Sequence, residues 1–310
     1  MERIRSAVLL LPLALLLVLL GGCATTRDPL AQDPAFDATH PALSSEVVFE
    51  SGGARMYGLV YEAPGSGPHP TAIVLHGFPG NERNLDLAQA IRRAGWNAVF
   101  FHYRGAWGSE GDFGFVHVLE DVAAVVATLQ QPEFAAKHRI DATQLALIGH
   151  SMGGFAALVS ASELPAVDCA ASLAGANLGL WAEAVETPEG EARMAGALDG
   201  WGGPIRGTGG AALVAEVRAN GTRFDLRRHA AALATRPLLL VAGSRDDVTP
   251  PALHHEPLVA QLAAHPDARL QSALLDADHA FADRRVELTR LVLDWLTTKC
   301  VQAGQGPGAQ

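Results

Sequence analysis

Gly149-His150-Ser151-Met152-Gly153 constrains this chain more than any other stretch. A short apolar run, Leu145 to Ile148, leads into it, and Gly154, Phe155, Ala156 and Ala157 follow as a small-residue helix start. Strand, G-x-S-x-G and helix in that order predict a turn so tight that its flanking positions must be nearly free of side chain. Such a turn lifts the Ser151 hydroxyl clear of a sheet and aims a helix N-terminus at it, where the dipole favours developing negative charge. The bland reading of the same letters is an ordinary Gly-rich connection, so the context has to decide.

The context is strand-helix alternation. Val47-Val48-Phe49 and Met56 to Val60, separated by Ser51-Gly52-Gly53, predict an edge hairpin. Thr71 to Leu75, Asn97 to Tyr103, the run before Ser151, Val167 to Leu173, Pro237 to Ala242 and Leu270 to Leu275 read as further strands, most of them buried on both faces. Leu85 to Ala94, Val116 to Leu129, Pro251 to His265 and Arg284 to Thr298 read as helices between and after them. The expected class is therefore α/β, a mostly parallel sheet with helices on both faces, which binds ligands beyond the carboxyl ends of its strands. From Asn177 to Arg228 the alternation stops. Leu178, Trp181, Trp201 and Phe224 in that stretch favour a small helical cap (177–228) over a disordered loop.

The ends read differently. Arg3 and Arg5 precede an apolar run from Ala7 to Leu20, too short to span a bilayer comfortably but suited to a signal peptide over residues 1–22. Residues 23–45 lack periodicity and read as a flexible tether, 46–301 as the folded domain and 302–310 as a frayed tail. A formal charge of −10 without basic clusters argues against nucleic acid as a partner. Cys169 and Cys300 are either a disulfide or two buried small hydrophobes.

A serine hydroxyl needs a base to accept its proton, and a histidine base needs a carboxylate to fix its tautomer. Asp246 follows the strand ending near Ala242, and His279 follows the one ending near Leu275. The order Ser151, Asp246, His279 suits this architecture, with Asp247 as the rival acid. Met152, directly after the nucleophile, supplies one backbone N–H for an oxyanion. His150 reads as packing and His102 as a rim or core residue. His254-His255-Glu256 reads as a solvated helix face and not a metal cluster, because adjacent helical residues point different ways. No zinc, nucleotide or flavin signature is present, so no metal or cofactor is expected.

These residues resemble the α/β-hydrolase superfamily, within it the compact esterases and the dienelactone-hydrolase or prolyl-oligopeptidase-like hydrolases. The matching pieces are His76-Gly77, Tyr103-Arg104-Gly105 with Ser109-Glu110-Gly111, the turn at Ser151, Gly243-x-x-Asp246 with Pro250, and His279 before Phe281. The resemblance implies a second oxyanion donor at Phe78 and hydrolysis of a small-molecule carboxylic ester through a Ser151 acyl-enzyme, without a cofactor. A serine peptidase or amidase, anchored by acidic cap residues such as Glu183 and Glu186, is the nearest rival; a non-catalytic envelope lipoprotein is another. Leu20-Gly21-Gly22-Cys23 resembles the bacterial lipoprotein signal, which implies lipidation of Cys23 and, with Ala24 next, an outer-membrane anchor on the periplasmic side. A plain secreted protein is the alternative.

Overall fold

A computed structural model describes residues 27–301. The predicted signal peptide, the lipidation site Cys23 and the 302–310 tail lie outside the described residues. The hairpin forms between β1 (Leu43–Ser51) and β2 (Ala54–Glu62), paired antiparallel. Behind it come β3 (His69–Leu75), β4 (Asn97–Phe101), β5 (Ile140–His150), β6 (Cys169–Leu173), β7 (Pro237–Gly243) and β8 (Arg269–Leu275). They form one eight-stranded sheet in the order β1-β2-β4-β3-β5-β6-β7-β8, parallel from β4 to β8. β4, β6 and β7 are buried along their whole length, which is why they read as unbroken apolar runs.

Helices cover both faces. One face carries α1 (Leu85–Arg93) and α11 (Arg285–Trp295), packed through Leu87, Ile91, Leu288 and Trp295; the other carries α2 (Phe115–Leu129) and α4 (Met152–Glu163). The short α3 (Pro132–Lys137), absent from the sequence reading, starts with Pro132 in its first turn, a position that tolerates the missing N–H. The helix expected over 251–265 is two, α9 (Pro251–His254) and α10 (Glu256–Ala263). Pro257, which cannot donate to a preceding carbonyl, sits at the break.

Between β6 and β7 the chain is helical, as α5 (Leu178–Ala184), α6 (Pro188–Trp201), α7 (Gly210–Phe224), a 3₁₀ turn at Leu226–His229 and α8 (Ala230–Leu233). Leu178, Val185, Leu198, Val214 and Phe224 join the main core, whereas Trp201 at the end of α6 is 50% exposed.

Two sequence expectations change. The chain ahead of β1 is not a free tether over its described part: Asp28 Oδ1 caps Leu30 N at 3.0 Å, Arg93 Nε donates to Pro29 O at 2.6 Å, and Arg290 pairs with Asp28 at 3.2 Å. β1 also begins at Leu43, ahead of the expected boundary. Aperiodic composition cannot reveal contacts made by single polar groups. Cys169 and Cys300, left open above, form a disulfide with Cα atoms 5.6 Å apart. Closing a loop of 131 residues constrains the unfolded chain by about 5 kcal/mol on the loop-entropy model.

Candidate active site

Each candidate residue stands just past the carboxyl end of a strand. β5 ends at His150, and Ser151 follows with φ 57° and ψ −121°, a strained conformation rarely adopted by a residue with a side chain. The glycines of the motif make that turn possible. A Cβ on Gly149 would collide with the Gly153 carbonyl, and one on Gly153 with the Leu75 carbonyl at the end of β3. α4 then starts at Met152 and points its N-terminus at the hydroxyl.

β7 delivers Asp246 and β8 delivers His279. His279 Nδ1 donates to Asp246 Oδ2 at 2.7 Å. Asp246 Oδ1 accepts from the Val248 and Thr249 N–H groups at 2.9 and 2.8 Å, and the Thr249 hydroxyl lies 2.7 Å from Oδ2. Burial alone would raise the Asp246 pKa, but the hydrogen bonds from His279 and Thr249 prevail and lower it to about 2. Asp247 is exposed, so the carboxylate that meets the imidazole is Asp246. Thr249, to which the sequence reading assigned no role, also touches His279 Nδ1 at 3.2 Å and the Ala174 carbonyl at 3.0 Å. A threonine three residues after an aspartate in a turn was the available signal.

Ser151 and His279 line one pocket of about 170 Å³, whose other wall is the loop Gly77 to Glu82 after β3. A Cβ on Gly77 would lie 2.9 Å from Ser151 Cβ, a measure of how closely that loop passes the serine. Among the described residues, the N–H groups of Phe78 and Met152 have no acceptor, and no hydrogen bond joins Ser151 Oγ to His279, whose Nε2 is uncommitted.

Neighbouring histidines hold the loops. His150 is not mere packing: its Nε2 donates to the His279 carbonyl at 2.8 Å, with the two rings 4.8 Å apart. Burial, with His279 beside it, pushes its pKa down to about 4 and keeps the ring neutral. His76 is fully buried under the Gly77–Glu82 loop, donates Nδ1–H to the Gly77 carbonyl at 2.7 Å and is pushed down to about 3 by burial. His102 sits between His76 and Trp107. His254 corrects the solvated-face reading: it is buried and accepts from Asn177 N at 2.9 Å, which ties the start of the cap to the loop bearing Asp246. His255 points elsewhere, to the Ser272 hydroxyl at 3.1 Å.

The cap meets the site through aromatic rings. Phe78 lies 5.4 Å from Phe113 and 6.2 Å from Phe115, which in turn lies 6.0 Å from Trp181 of α5. Glu216 of α7 accepts from Phe115 N at 2.8 Å and Val116 N at 2.7 Å, capping α2, whose own N-cap residue is Gly114. Glu183 and Glu186 line a separate cleft with Arg218 and Asp225 and do not reach the Ser151 pocket.

The model of the serine aminopeptidase family S33 matches residues 67–199, short of half of the chain. No curated protein matches the sequence. Among solved structures, Est1E from Butyrivibrio proteoclasticus with bound ferulic acid superposes with a TM-score of 0.65 at 19% identity, over 83% of this chain and 100% of that one. The Pyrococcus furiosus esterase Pf2001 gives 0.59 at 17% identity, over 84% and 94%. A Mycobacterium tuberculosis puromycin-hydrolyzing peptidase gives 0.61 at 19% identity, over 88% of this chain and 41% of that one. Strand order, the turn at Ser151 and these superpositions together establish that the protein has the α/β-hydrolase fold.

Proposed function

We propose that the protein hydrolyses carboxylic esters. Ser151 attacks the carbonyl carbon, passing its proton to His279; Asp246 holds the imidazole by Nδ1 and stabilises its cation; the N–H groups of Phe78 and Met152 receive the oxyanion. His279 then protonates the leaving alkoxide, and the same imidazole activates the water that releases the acid. The observation that carries this reading is the His279–Asp246 hydrogen bond of 2.7 Å beside a pocket shared by His279 and Ser151. A fluorophosphonate should label the wild-type protein and leave Ser151→Ala unlabelled; equal labelling of both would refute the assignment.

Amide hydrolysis is the second reading, favoured by the match to the serine aminopeptidase family over residues 67–199. Faster cleavage of aminoacyl p-nitroanilides than of p-nitrophenyl esters would make it the first.

The lipid anchor is a further part of the proposal. The Cys169–Cys300 disulfide supports an oxidising compartment such as the cell envelope. Cys23 stands five residues before Asp28, which is docked beside Ala94 and the second half of α11, at the amino ends of the strands. Labelled palmitate should enter the full-length protein and not Cys23→Ala; incorporation into both would remove the anchor.

A further inference from the structure

Among the described residues that line the Ser151 pocket, Glu82 contributes the one carboxylate. Its Oε1 accepts from Asn84 N at 2.6 Å, and the other oxygen has no partner among the described residues. The guanidinium groups of Arg83 and Arg285 are engaged elsewhere. Arg83 lies over the Trp107 ring, 4.2 Å from its centroid, and Arg285 holds Asp86 at 2.6 Å and Asn84 Oδ1 at 3.0 Å. His150 supplies no positive charge, because burial keeps it neutral.

An unneutralised carboxylate is out of keeping with the chemistry of this pocket. It shares a loop with Phe78, whose N–H would receive the oxyanion, and like charges at short range raise the energy of the anionic tetrahedral state. That penalty disappears when the substrate itself brings a cation. The position of the pocket says which part of the substrate that is. His279 and Ala280 line the same pocket as Glu82, and His279 is the group that hands a proton to the departing oxygen. Phe113 and Phe115 pack against Phe78 but are buried and line no part of this pocket.

We infer that Glu82 is a specificity-determining residue that selects esters whose leaving alcohol carries an ammonium or other cationic amine. The inference rests on the ester-hydrolase reading above. A pocket of about 170 Å³ has room for a small quaternary or primary ammonium head. The bonds made and broken are those of ordinary ester hydrolysis; the cation leaves as part of the alcohol, protonated on oxygen by His279.

The test uses two esters of one shape, acetylcholine and 3,3-dimethylbutyl acetate, in which a carbon replaces the ammonium nitrogen. The wild-type protein should give a kcat/KM ratio in favour of the cation of at least about fivefold, and Glu82→Gln, which keeps an acceptor for Asn84 N, should bring that ratio close to unity. No preference in the wild type, or an equal fall for both esters in Glu82→Gln, overturns the inference. Fluorophosphonate labelling separates it from the reading beneath it. A labelled protein that cleaves neither ester overturns the role of Glu82 alone, whereas an unlabelled one overturns the hydrolase reading first.

Discussion

Asp246 and Asp247 are adjacent, chemically identical and differently placed. Asp246 accepts hydrogen bonds from His279, Val248 and Thr249, whereas Asp247 is exposed to solvent. Asp246→Asn should therefore lower kcat on a p-nitrophenyl ester by about three to four orders of magnitude, because an amide stabilises neither the correct tautomer nor the imidazolium. Asp247→Asn should stay within about twofold. The opposite ranking would transfer the acid to Asp247. At this scale Ser151, His279 and the G-x-x-D frame were legible, since a tight turn and a strand end each leave a local signature. Thr249, His254 and Glu82 were not, because what they do depends on groups far away in the chain or on the shape of a pocket.

At the scale of elements, a carboxylate of the cap closes the end of a core helix. Glu216 of α7 takes two N–H groups at the start of α2, where Gly114 offers no side chain of its own. Helix N-termini without a cap lose about 0.5–2 kcal/mol, and here the bond also fixes α7 over Phe115. Glu216→Ala should lower the melting temperature by several degrees and speed limited proteolysis within α6 and α7. Unchanged cleavage would mean that the remaining contacts, apolar packing and the Arg223–Glu163 pair among them, seat the cap. Helical periodicity announced α1, α2 and α11, each of which has one buried face. The same reasoning merged α9 with α10, since the apolar spacing runs on through a break made by a single proline.

For the whole molecule, the consequence of burial is a dependence on acid. His76, His150 and His254 are buried, and burial holds their pKa values at about 3, 4 and 4. In the unfolded chain each ring titrates near 6.5. Between about pH 6.5 and 4 the unfolded state therefore binds more protons, and stability falls as the pH falls through that window. Asp246, held at about 2, acts in the same direction only below about pH 4. The melting temperature at pH 5 should lie at least about 5 °C below that at pH 7. A flat profile would show that these rings take up protons without unfolding the protein.

Periodicity, strand-ending motifs and glycine spacing by themselves determined the α/β alternation, the order of strands and helices and the residues flanking Ser151, because each of these is a short-range property of the chain. Only the tertiary structure decided that Asp246 is the carboxylate meeting the imidazole, that Cys169 finds Cys300, that the segment at Asp28 is docked, and that Glu82 shares a pocket with the serine. Each of these is a meeting between groups from different loops. Where loops converge is set by the twist and order of an eight-stranded sheet, which no local pattern encodes.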